Sequence, residues 1–137
     1  MIIDDSLSIN EYKTILDLVG WKKASDRLLK ISLENSMTVK YVLDDKTVGM
    51  ARLVTDFGYA GLIMDVVVIP EYQGMGIGTK MINRLLQRVN DRLEPGEEVL
   101  LQLLAAPGKT NFYKKFGFKV KLTTAEAGMY MWMKKGD

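Results

Sequence analysis

Gly74, Gly76 and Gly78 stand at alternate positions between a β-branched run and an amphipathic stretch, a placement suited to holding a phosphate. Val66, Val67, Val68 and Ile69 have the composition of a buried strand. Pro70 ends that strand by removing a donor and fixing φ. Ile77, Met81, Ile82, Leu85, Leu86, Val89 and Leu93 then fall on one helical face. The first turn of a helix carries backbone N–H groups without partners, at the positive end of the dipole. Glycines let an anion approach those groups with no Cβ in the way. Two phosphate motifs fail on spacing. A nucleoside-triphosphate loop needs Lys-Ser/Thr directly after its last glycine, and here the order is Gly78-Thr79-Lys80. A dinucleotide fingerprint starts at Gly74-Met75-Gly76 but meets Thr79 where its third glycine should stand. Glu94, near the position of a ribose-binding acid, lies in the turn Glu94-Pro95-Gly96 rather than at a strand end. A tight connection without a ligand is the plain structural alternative.

The pattern that fits is Gln-x-x-Gly-x-Gly, read as Gln73-Gly74-Met75-Gly76-Ile77-Gly78 after Asp-Val-x-Val-x-Pro-x-Tyr. It resembles the acetyl-CoA pyrophosphate loop of the GNAT superfamily of N-acetyltransferases. A second segment, Asn111-Phe112-Tyr113-Lys114-Lys115-Phe116-Gly117-Phe118, is similar to the later part of that superfamily's Asn-x-x-x-Phe/Tyr-Tyr-x-x-x-Gly-Phe motif. The two occur in the expected order, and the resemblance spans nearly the whole chain. Val19-Gly20-Trp21, Gly49-Met50-Ala51-Arg52, Asp65-Val66-Val67-Val68 and Gly128-Met129-Tyr130-Met131-Trp132 look like the bacterial and plant group that includes plastid serotonin-type and lysine acetyltransferases.

The resemblance implies acetyl-CoA as co-substrate, no metal, and a primary-amine acceptor: a small amine, a protein lysine or an N-terminus. It places the pyrophosphate on the backbone of Gly74, Met75, Gly76, Ile77, Gly78 and Thr79, with Gln73 bracing the turn or touching phosphate. It sets the pantetheine arm against the backbone of Val66, Val67 and Val68 like an added strand. A backbone N–H there would meet the charge that develops on the thioester oxygen. Core strand packing is the alternative for the valines, and both readings are compatible. Tyr113 becomes the candidate general acid for the departing thiolate, since a phenol near pKa 10 is protonated at neutral pH. Asn111 bonds the pantetheine or caps its helix. Superfamily members are often dimers, which leaves a homodimer open.

The amine must lose a proton, and the chain has no His. The base is then a carboxylate, directly or through water, or bulk solvent. Asp65 interrupts an apolar strand, where a charge needs a partner. Strand alternation puts it on the face of Val67 and opposite Val66 and Val68. Its alternative role is to pair with Arg52. Asp56 reads as a turn residue. The absence of Cys excludes a cysteine acyl-enzyme and a thiolate metal site, which implies direct transfer in a ternary complex. Lys109, Lys114 and Lys115 either meet a 3′-phosphate or form a solvated face. Trp21, Phe57, Tyr59 and Tyr130 are expected in the acceptor wall, where arylalkylamine recognition and plain aromatic packing are equally served.

The chain has 137 residues, the size of one domain, and 47% hydrophobic residues suffice for a core. Nineteen basic and 17 acidic residues leave a net charge of +2, too balanced for a nucleic-acid partner. That balance also disfavours an acetyltransferase toxin acting on aminoacyl-tRNA. The N-terminus has Asp4 and Asp5 where a signal peptide needs basic residues, and the run 59–70 is broken by Asp65. No membrane association and a cytoplasmic location are the expectations.

These sites need elements to hold them. Residues 1–4 suit a short edge strand. Ser8-Ile9-Asn10-Glu11 is a capping box, opening a helix that stops at Gly20. A second helix is expected from about 24 to 33, with Leu28, Leu29 and residues 31–33 as its apolar side. Residues 37–43 and 47–54 form a hairpin about Asp44-Asp45-Lys46. Strand 59–69 feeds the glycine loop, and the long helix runs over about 77–93. Strand 99–104 is expected parallel to 59–69. A short helix at 110–116 is capped by Gly117, and strands at 118–122 and 129–133 close the chain. The expected fold is mixed α/β (α+β): one domain over 1–137, a mostly antiparallel sheet with a parallel central pair, and helices on both faces. That order is the GNAT order. A CoA- or acetyl-CoA-binding regulatory module without turnover is the competing function.

Overall fold

The computed structural model describes residues 1–4, 7–120 and 135. The chain divides after Leu103 into two compact units. The first contains β1 (Ile2–Asp4), α1 (Ile9–Val19), α2 (Asp26–Glu34), β2 (Ser36–Leu43), β3 (Lys46–Thr55) and β4 (Ala60–Val68). A 3₁₀ turn at Pro70–Tyr72, α3 (Ile77–Asn90) and β5 (Leu100–Leu103) complete it. The second unit holds α4 (Thr110–Lys114). Residues 118–120 carry no strand. The rest of the expected strand 118–122, strand 129–133 and Tyr130 lie outside the described residues.

The sheet runs β1-β2-β3-β4-β5, antiparallel throughout except for the parallel pair β4–β5. This is the mixed sheet with a parallel pair that the sequence predicts. Asp44 and Asp45 turn β2 into β3 with φ of 48° and 59°, the two positive dihedrals of a type I′ hairpin. Leu7, Tyr12, Ile15, Leu16 and Leu29 pack with Met50 and Val67 on one face. On the other, α3 buries Ile77, Met81, Ile82 and Leu85. Each of those side chains contributes roughly 2 kcal/mol, more than the ~1 kcal/mol lost to Gly78 inside the helix. Gly49 lets α3 come this close. A Cβ there would lie 3.1 Å from the Met81 Cε and 3.2 Å from the Val67 carbonyl oxygen. Methionine can move aside, but the strand backbone cannot.

Two helices differ from expectation. In α2 only Leu29 is buried; Leu28 and Ile31 are exposed. A nine-residue helix presents one narrow stripe, here Leu29 with the partly buried Leu33 four residues on. The long helix ends at Asn90 rather than at 93. Arg92 and Leu93 donate to Val89 and Asn90, three residues back, and Pro95 disfavours helix at the residue before it. No helix among the described residues is long and apolar enough to cross a membrane.

The capping box forms as predicted, with Ser8 and Glu11 bonding reciprocally. Glu11 also joins α1 to the sheet, accepting from Lys40 at 2.9 Å and from the Thr47 hydroxyl. Burial alone would raise its carboxyl pKa. The hydrogen bonds from Thr47, the Ser8 backbone and Lys40 outweigh burial and lower it from 4.5 to about 2. A depressed folded pKa gives stability that is present above 4.5 and lost as pH falls towards 2. Glu11→Gln is therefore expected to cost about 1 kcal/mol at pH 7, allowing for solvent screening, and clearly less at pH 3. Urea midpoints at the two pH values check this; equal losses would refute it.

Candidate functional site

The sheet opens along β4. Its pairing with β5 covers only Ala60↔Leu100 to Ile63↔Leu103. From Met64 onward β4 has no partner on that side among the described residues, while β3 holds its other side as far as Val68. Ile69 donates to the Val48 carbonyl at 2.9 Å, towards β3. Strand alternation therefore turns the backbone groups of Val66 and Val68 to the open edge and those of Val67 to β3. The Gln73 side-chain amide donates to the Val68 carbonyl at 3.0 Å. This is the bracing contact expected of Gln73.

The glycine loop follows at once. Gly74 and Gly76 both have φ of 79°, a region that costs other residues roughly 1–2 kcal/mol. A Cβ on either would meet nothing within 4 Å, so the space before the loop is open. Gly76 is the N-cap of α3, no side chain caps the helix, and its first turn holds no acid. The first intrahelical bond at this end runs from Lys80 N–H to Gly76 O, at 3.1 Å. Met75 is exposed, whereas Ile77 is buried and offers only its backbone. Gly78 and Thr79 complete the first turn. A helix end with no side-chain cap, positive polarity and open access has the features an anion would use.

Asp65 lies where the sheet opens. Met50 pairs with Val67 and Arg52 with Met64, so Asp65 and Val66 together face Ala51. This is a β-bulge, and Asp65 adopts φ of 54° within it. Tyr12 Oη and Arg52 Nε both donate to Asp65 Oδ2, the latter at 2.9 Å. The Asp65 and Arg52 side chains are only 14% and 12% exposed. Arg52 Nη1 continues to Ser36 Oγ at 3.1 Å, and that hydroxyl donates to Ser32 O at 2.6 Å. Burial first, and then the Asp65 charge, push the Tyr12 phenol well above its ordinary pKa. Asp65 shares the face of Val67, as expected, and the bulge brings Met64, three residues before Val67, to that face as well. The carboxylate is engaged in the Arg52 pairing that the sequence offered as its alternative role. Tyr12 was missed. A phenol on the apolar stripe of α1 and an acid inside an apolar strand each need a buried partner, and that was the available signal. Asp56 is the turn residue predicted, accepting from the Gly58 amide at 2.7 Å.

In the second unit, Tyr113 is half-buried on α4. Its ring meets Phe112 edge-on at 5.0 Å and Phe118 at 6.2 Å. Burial raises its pKa. Lys109, not Asn111, occupies the N-cap of α4. Asn111 is exposed and does not cap, which removes one of its two expected roles. Lys115 lies over the Phe112 ring at 4.5 Å.

Phe57, Tyr59 and Trp21, expected in the acceptor wall, lie at separate places in the first unit. Phe57 and Tyr59 precede β4 and line a cleft of about 310 Å³ with Val89, Arg92 and Leu101. That is the start of β4, about 20 Å along the strand from Val66 at 3.3 Å per residue. They do not border the open edge. Trp21 lies in the α1–α2 link, 45% exposed.

The family described as acetyltransferase (GNAT) domain matches residues 35–120. This chain belongs to the GNAT acetyltransferase family. The match contains β2 to β4, the glycine loop, α3 and α4. Among relatives of this GNAT chain is the uncharacterized N-acetyltransferase ycf52 of Pyropia yezoensis, 35% identical over 130 residues, 91% of this chain and 72% of the relative. A protein of unknown function from meticillin-resistant Staphylococcus aureus shares the fold, with a TM-score of 0.83 at 24% identity, covering 97% of this chain and 98% of the other. An aminoglycoside 6′-N-acetyltransferase complexed with coenzyme A shares it more loosely, with a TM-score of 0.58 at 20% identity over 67% of this chain and 56% of the other.

Proposed function

We propose that residues 1–137 act as one N-acetyltransferase domain that moves an acetyl group from acetyl-CoA to a primary amine by direct transfer in a ternary complex. The observation that carries this reading is the edge of β4, without a strand partner among the described residues beyond Ile63, leading directly into a helix end with no side-chain cap. An extended amide chain ending in a diphosphate matches both features, and one fold relative holds coenzyme A. When bound, acetyl-CoA supplies a thioester whose carbonyl carbon accepts the amine. Val66 offers its backbone N–H and carbonyl, and Val68 its N–H, to the pantetheine amides, the Val68 carbonyl already accepting from Gln73. A backbone N–H on this edge stabilises the charge developing on the carbonyl oxygen, and such a donor contributes about 2.7–4 kcal/mol. Gly74 to Thr79 hold the diphosphate. Tyr113 gives its O–H proton to the departing sulfur and is reprotonated by water. The amine proton leaves to solvent, directly or by way of the Asp65 carboxylate, whose Oδ2 is already bound by Tyr12 and Arg52. Small amines, protein lysines and N-termini all fit this chemistry as acceptors.

Thiol release from acetyl-CoA, followed against a panel of primary amines, tests the proposal. Amine-dependent release is expected. Coenzyme binding without release to any amine would make the protein a binding module instead.

A further inference from the structure

We propose that Tyr12 and Arg52 are positioning residues: by gripping the Asp65 carboxylate from α1 and from β3, they hold the β4 bulge and thereby set where the Val66 backbone stands on the open edge. The consequence for turnover rests on the acetyl-transfer reading above.

A bulge residue at φ of 54° is in the left-handed region, which aspartate tolerates but does not favour. Such a conformation persists when its surroundings over-determine it. Here the restraint is specific. Both donors converge on one oxygen, Oδ2. Tyr12 is 3% exposed and sits in the core with Ile15 and Leu16, so α1 gives it little freedom. Arg52 pairs across the sheet with Met64, the residue just before the bulge. Its other arm reaches Ser36 and, through it, the Ser32 carbonyl in α2. The bulge is thus tied to two helices and the neighbouring strand.

Its location gives the tie a purpose. The last β4–β5 pair is Ile63↔Leu103, two residues before Asp65. Val66, the second residue of the bulge, lies beyond the last β4–β5 pair, and its backbone turns to the open edge. Apolar side chains could fill this space without desolvating an ion pair. A carboxylate with two fixed donors adds direction, which packing alone does not.

The test uses Tyr12→Phe, Asp65→Asn and the double variant. Phenylalanine keeps the core volume, and asparagine keeps the tolerance for positive φ. Two readouts are taken: amide exchange in the free protein, and kcat with KM for acetyl-CoA. Each single variant is expected to speed exchange at the Val67 amide, on the β3 side of the bulge, by tenfold or more, while the Lys80 amide in α3 is unchanged. Each is expected to lower kcat at least tenfold with KM within threefold, and the double variant to be no worse than Asp65→Asn. Unchanged Val67 exchange would overturn the proposal. So would a kcat loss in Asp65→Asn alone, the signature of a base. A loss matched by equal destabilisation of the whole fold would also overturn it, since that marks a structural role. If wild-type protein releases no thiol, the acetyl-transfer reading fails separately, and the exchange data alone decide whether the grip on the Asp65 carboxylate holds the bulge.

Discussion

Tyr113→Phe is expected to lower kcat by about 10²-fold or more while leaving affinity for coenzyme A within a few-fold. The change deletes one O–H and nothing else. The ring contacts with Phe112 and Phe118 do not need the hydroxyl, so the local packing should survive. The leaving group is a thiolate of ordinary pKa about 8.5, and a donor must be protonated to serve it. Burial pushes the Tyr113 phenol above its ordinary value of 10.0. The acid form therefore persists through neutral and mildly basic pH, and the donor's own loss of activity falls above pH 10. Steady-state kinetics with binding calorimetry separate the two parameters. Undiminished turnover in the variant would remove Tyr113 from the mechanism. Weakened binding with intact kcat would give it a binding role instead.

Gly76→Ala is expected to weaken coenzyme A binding by roughly 10- to 100-fold, the equivalent of one charge-assisted hydrogen bond at about 1.5–3 kcal/mol. The stability cost should be smaller, about 1–2 kcal/mol for placing a Cβ at positive φ. The two numbers differ because a Cβ there meets no protein atom; it projects into open space, where the proposed diphosphate would approach. Calorimetric titration and urea denaturation on the same sample give both quantities. A variant that loses stability but binds coenzyme A as before would show that the loop is only a tight connection.

Local features were legible from the sequence. The Ser8–Glu11 capping box, the Gly20 helix stop, the Asp44–Asp45 turn and the glycine loop all depend on residues within a few positions of one another. The parallel placement of β5 followed from the helix that precedes it. What escaped depends on pieces far apart in the chain. The β4 bulge exists only in the register between β3 and β4, and no periodicity in 60–68 marks it. Tyr12 and Asp65 are 53 positions apart, so each could be read only as a group in need of a partner. Glu11 was recognisable as a cap but not as the partner of Lys40 and Thr47. Phe57 and Tyr59 were assigned by side-chain chemistry to an acceptor wall. They lie at the start of β4, lining a cleft with Val89, Arg92 and Leu101, a placement along the strand that aromatic character does not encode. For Asn111, helix capping is decided by backbone geometry at Lys109, which composition does not set.

The central claim is that acetyl-CoA lies along the open edge of β4 with its diphosphate on the first turn of α3. Amide-resolved NMR during a coenzyme A titration tests it most directly. The expected result is saturating shifts at Val66, Val68 and the amides of 74–79, while Val39 and Tyr41 on β2 stay in place. No shift at those amides with millimolar coenzyme, or saturating shifts confined to the cleft around Phe57 and Arg92, would contradict it.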